Sequence, residues 1–204
     1  MFLDVFWTTY IGLFLLIFTI NIVPFMMPPT WLVLSTVYFL FPHQFILPFL
    51  VLMGALASTL GRVVLSHVGT LSRRLMRTER KESLNTAGEV LKSKKHGGFL
   101  LTFIFALTPL PSNSYFLTLG TMKCNYFSIY FGFWSGRLIS YFVTTMASTV
   151  VLTSLAAVFT SQLQAVLLVD IISLLSMVVF IFIDWNVLLK EKRVKFIKPK
   201  FGRK

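Results

Sequence analysis

Two long stretches of this chain contain no lysine or arginine, and this distribution constrains the fold more than any other feature. They run from Met1 to Gly61 and from Leu138 to Leu189. Most basic residues lie instead in two blocks, at 73–95 and at 190–204, and each block holds eight of the 19 lysines and arginines. Segregation of this kind is typical of a multi-pass membrane protein whose basic segments face the cytoplasm.

The composition supports the same class of protein. Hydrophobic residues make up 56% of the 204 residues, 22 residues are phenylalanine, and the mean hydropathy is +0.80. Soluble domains rarely have such a composition. We therefore expect an all-α integral membrane protein that forms one membrane domain over 1–204. A basic cytoplasmic linker is predicted at 72–97 and a basic cytoplasmic tail at 190–204.

Several classes of function are disfavoured by the residues themselves. The single Cys124 excludes an intramolecular disulfide, and no cluster of ligands has the spacing of a metal site, so no cofactor is expected. Cys124 has no base placed for it, and Ser112 and Ser114 have no histidine nearby in the sequence, so we expect no enzyme. The basic blocks lack the aromatic pattern of nucleic-acid binding, so we expect membrane lipids and anionic head groups as partners, with a homo-oligomer left open.

Prolines interrupt the apolar segments of the first half. A helix over Val5–Val23 is long enough to span a bilayer, whereas Thr30–Leu40 is too short to cross and follows Pro28 and Pro29. The sequence predicts a re-entrant half-helix here. A turn at 42–48 and a returning helix over about Phe49–Val68 should follow.

The second half repeats the pattern. Gly98–Leu107 enters from the basic linker and meets a break that contains Pro109 and Pro111, after which Ser114–Met122 forms a second half-helix. Long helices are predicted over about Asn125–Met146 and Val166–Asn186. Residues 147–165 extend the preceding helix, form an amphipathic segment, or add a further span, and the sequence leaves these alternatives open.

Each half therefore contains a proline break, a half-helix and a helix with a Gly-Arg pair, which is Gly61-Arg62 in the first half and Gly136-Arg137 in the second. The halves enter from opposite sides, so we expect an inverted repeat with two facing re-entrant half-helices and a ligand site between them. Chance recurrence of proline and glycine is the alternative.

A break at membrane depth leaves backbone groups unpaired, and such breaks persist only where protein or water surrounds them. The second break therefore implies a cavity. Ser112, Asn113 and Ser114 either satisfy the freed backbone groups or offer donors to a polar ligand that passes through.

Three features together resemble the DedA superfamily, also called the VTT-domain or SNARE-associated membrane proteins. These are the proline-rich first break, the glycine-spaced helix "GALASTLGRVVLSHVG" at 54–69, and "FALTPLPSNSYFLTLGTMKCNYFSIYFGFWSGR" at 105–137. The resemblance covers a core of about 23–140. It implies two facing re-entrant helices and lipid transport, either scrambling of phospholipids or return of a polyprenyl phosphate.

The chain departs from bacterial members of that superfamily at three places. Thr30 and Trp31 stand where an acidic residue is usual, Arg62 stands where aspartate is usual, and Ala106 and Ser112 lie near the places of two arginines. These departures weigh against proton-coupled transport. They leave uncoupled movement of lipid unaffected.

Arg137 lies about twelve residues into its predicted helix, near the middle of the hydrocarbon core. Its guanidinium either binds a lipid phosphate or pairs with Asp170. Arg62 and His67 lie near the cytoplasmic end of their helix, where we expect anchoring at the interface rather than transport, although Arg62 stays a candidate for binding.

The predicted function is scramblase-like or flippase-like movement of lipid head groups. The alternatives are an exporter of small cationic or amphipathic solutes, with Asp170 as the ion-coupling group, and a non-transporting assembly factor. The predicted substrate-binding residues are the arginines of the two Gly-Arg pairs, two polar residues of the second break and the prolines of both breaks. They are Arg137, Arg62, Ser112, Asn113, Pro109, Pro111, Pro28 and Pro29.

Overall fold

The computed structural model describes residues 2–24, 28–76, 78–93, 97–108, 112–124, 127–159 and 161–182. Within these ranges every regular element is a helix, as the sequence predicts. The α-helices are α1 (Phe2–Ile22), α2 (Thr30–Leu40), α3 (Leu47–Ser72), α4 (Thr78–Ser93), α5 (Gly97–Leu107), α6 (Asn113–Thr121), α7 (Phe127–Ala156) and α8 (Gln162–Phe182). A 3-10 turn, Arg73–Leu75, follows α3.

Two of the described helices are long and apolar enough to cross a membrane. They are Leu47–Leu75, which includes the 3-10 turn, and Phe127–Ala156. The predicted start of α3 was wrong by two residues, because Pro48 lies in its first turn and not in the preceding loop. Proline is accepted there, since the N–H that it lacks has no partner within a helix.

The path of residues 147–156 is settled by α7, which continues ten residues past its predicted end at Met146. Polar residues are accommodated because their hydroxyl groups bond within the helix. Thr149 donates to the carbonyl of Thr145 at 2.8 Å, and Thr153 donates to that of Thr149 at 2.7 Å. The first of the three alternatives for this segment is therefore confirmed as far as Ala156.

The chain divides into two compact units, Met1–Thr153 and Ser154–Lys204. In the first unit α3 is central, since it packs against α1, α2 and α6. One apolar cluster joins α1, α2 and α3 with Tyr141 of α7, and a second joins α3, α5, α6 and the start of α7. In the second unit α8 is the described helix. A single membrane domain over 1–204 stays a prediction.

Candidate functional site

The first proline break is joined to α3 through Asn21, a buried residue at the end of α1. Its Nδ2 donates to the carbonyl of Ile17 at 2.8 Å and to the hydroxyl of Thr30 at 2.9 Å. Its own carbonyl accepts a hydrogen bond from Nη1 of Arg62 at 3.0 Å. The two helices that flank the break are thus tied to each other and to α3.

Gly61 makes this contact possible because α1 and α3 approach closely beside it. A Cβ atom on Gly61 would lie 2.6 Å from Cβ of Asn21 and 2.9 Å from the carbonyl oxygen of Phe18. No side chain fits at those distances without a shift of α1. The glycine therefore brings Arg62 within reach of the last turn of α1.

Gly136 has the same relation to the helix that precedes the second break. A Cβ atom there would lie 2.7 Å from both Cβ of Ala106 and the carbonyl oxygen of Phe103 on α5. Each Gly-Arg pair thus lies where a long helix crosses the last two turns of a shorter one. The two halves of the chain therefore correspond in the contacts of their Gly-Arg pairs as well as in sequence order.

Arg137 lies between two aromatic rings of its own helix. Its Cζ is 5.0 Å from the ring centroid of Phe133 and 5.4 Å from that of Tyr141. Only 7% of the residue is exposed, and its Nε has no hydrogen-bond partner among the described residues. Cation–π contacts offset part of the cost of burying the charge but provide no hydrogen-bond acceptor for Nε.

Arg62 has the same degree of burial, 7% exposed, and its Nε also lacks a partner within the described chain. Burial disfavours its charge, and Arg137 lies close enough for the two positive charges to repel each other. The site therefore contains two buried positive charges that act on one another. An anion placed near both would be attracted by their combined field.

Other buried polar atoms without partners lie along α7. Within the described chain they are Nε1 of Trp134, Nε of Arg137, Oγ of Ser140 and Oγ1 of Thr145. At 100° per residue these four positions fall within an arc of about 140°, on one side of the helix. We call these four residues the polar face of α7. Buried polar groups are usually paired, so a group of unpaired ones calls for an explanation such as a polar ligand or water.

Residues that flank the two breaks are in contact through Asn113, which begins α6. Its Nδ2 donates to the carbonyl of Val23, which directly precedes the first break, at 3.2 Å. Ser112 is buried and makes no side-chain capping bond to α6. Pro28 is exposed and Pro29 caps α2, whereas Pro109 and Pro111 lie outside the described residues.

Arg62 is buried, and its side chain bonds to the end of α1. His67 is exposed. Anchoring of these two residues at a membrane interface stays a prediction. Asp170 is half-buried in α8, within the second unit, and its pairing with Arg137 stays a prediction. The described residues contain no group of three His, Cys, Asp or Glu side chains that could hold a metal.

Sequence reasoning missed Asn21, Tyr141 and most of the polar face of α7. One signal was present, since Asn21 is a lone amide in an apolar helix just before a proline break. Another was the aromatic residue four positions on either side of Arg137, because residues at that spacing share a helix face. Nothing in the sequence indicates that the hydroxyls of Ser140 and Thr145 are unpaired, since the hydroxyls of nearby threonines donate to carbonyls of the same helix.

Comparison with known proteins leaves the geometry as the basis for a functional assignment. No protein-family model, no curated protein and no solved structure matches the chain. The resemblance to the DedA superfamily is therefore a hypothesis that rests on the residues quoted above.

Proposed function

We propose that this protein moves lipids with phosphate-bearing head groups across a membrane, as a scramblase or flippase. The observation that carries the proposal is the set of unpaired, buried polar atoms on α3 and α7, with the Nε atoms of Arg62 and Arg137 among them. A guanidinium group binds phosphate through two parallel N–H bonds. A head group that enters between α3 and α7 would supply the acceptors that these donors lack.

The lengths of the helices support a membrane setting for this path. A helix needs about 20 residues to cross the hydrocarbon core. α3 and α7 exceed this with 26 and 30 residues, whereas α2, α5 and α6 have 11, 11 and 9. We propose that α2 and α6 are re-entrant half-helices of a DedA-like inverted repeat, in which α1–α3 and α5–α7 correspond through their Gly-Arg pairs.

The positive sign of the local charge favours an anionic ligand over a cationic one. Arg62 and Arg137 repel each other and would repel a cationic solute with the same field. An exporter of cationic solutes would need a carboxylate in its path, and Asp170 is the residue that would serve. The buried cationic and polar atoms of α3 and α7 support movement of an anionic head group over export of a cation.

Reconstitution into liposomes with a fluorescent phospholipid in both leaflets tests the proposal. Without an ion gradient, the wild-type protein should let an external quencher bleach the lipid of both leaflets. Arg137→Gln should remain folded and slow this bleaching, with only partial recovery in Arg137→Lys because an ammonium loses the planar fork. Ser135→Ala is the control, since its hydroxyl bonds only within α7. Gradient-dependent solute flux without lipid movement would favour the exporter.

The proposed topology places both basic blocks in the cytoplasm. In a Cys124-free background, single cysteines at Ser83 and Gly202 should be labelled only when the cytoplasmic face is accessible. An external signal at either position would contradict the proposed path of the chain through the membrane.

A further inference from the structure

A basic cavity lies where the end of α3, the start of α4 and the turn after α6 come together. Its volume is about 470 Å³, and its described lining consists of Thr70, Arg73, Arg74, Lys81 and Lys123. Four of these five residues are cationic and none is a carboxylate. The volume falls within the range of sites that hold small ligands.

Arg73 fixes the structure of this cavity. The residue is buried, and its Nη1 donates to the carbonyl of Thr121 at 2.6 Å. Its Nη2 donates to Oδ1 of Asn85 at 2.7 Å. One guanidinium thus ties the 3-10 turn to both α4 and the end of α6. These bonds use donors of Arg73 but leave its positive charge in the cavity.

The turn after α6 is also held in place. Thr70 donates its hydroxyl to the carbonyl of Gly120 at 3.0 Å, and the same carbonyl accepts from the backbone N–H of Lys123 at 3.0 Å. Lys123 has a φ of 55°, a left-handed conformation that few residues other than glycine adopt. Arg74 and Lys123 are exposed and Lys81 is half-buried, so their charges line a cavity whose backbone is fixed.

We propose that this cavity is a binding site for a phosphate monoester group. Four like charges around one cavity repel each other, and an anion there offsets that repulsion. A phosphate monoester carries about −1.5 to −2 charges at neutral pH, more than a carboxylate or a phosphodiester, and offers three acceptor oxygens. The site involves neither Arg62 nor Arg137, so it goes beyond the proposed transport function and does not depend on it.

Two sources supply a phosphate group of this charge: a lipid whose head group is a phosphate monoester, and inorganic phosphate in solution. Native mass spectrometry of the full-length protein in detergent should compare phosphatidic acid, a monoester, with phosphatidylglycerol, a diester. A thermal shift with millimolar inorganic phosphate covers the second source. We expect the wild type to prefer the monoester lipid by about fivefold or more, and Arg74→Gln/Lys123→Gln to bind it about tenfold more weakly.

Lys195→Gln/Lys198→Gln is the matched control, because it removes the same charge from the tail and should keep the monoester preference. If inorganic phosphate stabilises the wild type but not the double variant, and the two lipids bind alike, the site takes free phosphate. Equal binding of the two lipids together with no effect of phosphate would overturn the proposal, as would unchanged affinity in the double variant. Lys123→Gln alone, at an exposed position, replaces the double variant if that fails to fold.

Discussion

Asn113 donates a hydrogen bond from Nδ2 to the backbone carbonyl of Val23, across 90 positions of sequence and a distance of 3.2 Å. The last carbonyls of a helix have no partner within it, and Val23 directly follows the end of α1. The side chain at the start of α6 therefore satisfies a backbone group at the other break. Asn113 thus acts on protein backbone.

Replacing Asn113 with aspartate should destabilise the protein. The change keeps the shape of the side chain but replaces the donor with a second acceptor, which faces the carbonyl of Val23. The bond is partly buried, so loss of the donor and repulsion between the new carboxylate and the carbonyl should cost on the order of 1 kcal/mol, and we expect the melting temperature in detergent to fall by several degrees. Thr118→Val is the control, because its exposed hydroxyl bonds only to Ser114 within α6. Equal melting temperatures for Asn113→Asp and the wild type would show that the bond contributes nothing.

The local elements of this fold could be read from the sequence. The bounds of α2 agree with the predicted Thr30–Leu40, and those of α5 and α6 agree with prediction to within one residue. This agreement has a physical reason, since proline fixes its own backbone angle and restricts the residue before it. Helix ends set by proline are therefore local properties of the chain.

The contacts between distant residues could not be read in this way. Charge counting assigns Arg73 to a basic block that faces anionic lipid, yet its guanidinium is buried between α4 and α6. Nothing in the local pattern distinguishes it from Arg74, which is exposed. The choice depends on tertiary packing, and the same is true of the bond from Asn113 to Val23.

The glycines of the two Gly-Arg pairs provide a second prediction. Gly61→Ala and Gly136→Ala should each destabilise the protein, because the added Cβ would lie within 2.7 Å of atoms on α1 or α5. Overpacking of this kind costs about 1–3 kcal/mol. Gly12→Ala is the control in an exposed part of α1, where a Cβ would meet nothing within 4 Å. There the helix should gain up to about 1 kcal/mol, so the melting temperatures should move in opposite directions.

A third prediction compares two adjacent threonines of α7. The hydroxyl of Thr145 is buried without a partner among the described residues, whereas that of Thr144 donates to the carbonyl of Ser140 at 2.6 Å. Thr145→Val removes an unsatisfied group and should raise the melting temperature. If the polar face of α7 contacts head groups, Thr145→Val should also slow lipid movement in liposomes. Thr144→Val should change lipid movement little. A lower melting temperature for Thr145→Val would indicate that its hydroxyl is satisfied in the folded protein.

The last prediction separates the two roles of Arg137. If its guanidinium serves a lipid phosphate, Arg137→Gln removes a buried charge that lacks a full set of partners, and the protein should melt at the same temperature or higher while lipid movement slows. If Arg137 instead pairs with Asp170, Arg137→Gln and Asp170→Asn should each lower the melting temperature, because each leaves one charge uncompensated, and the double variant should recover stability. Melting temperatures and lipid flux of the three variants distinguish these outcomes. A stable Arg137→Gln with full lipid flux would exclude the proposed role of Arg137 in transport.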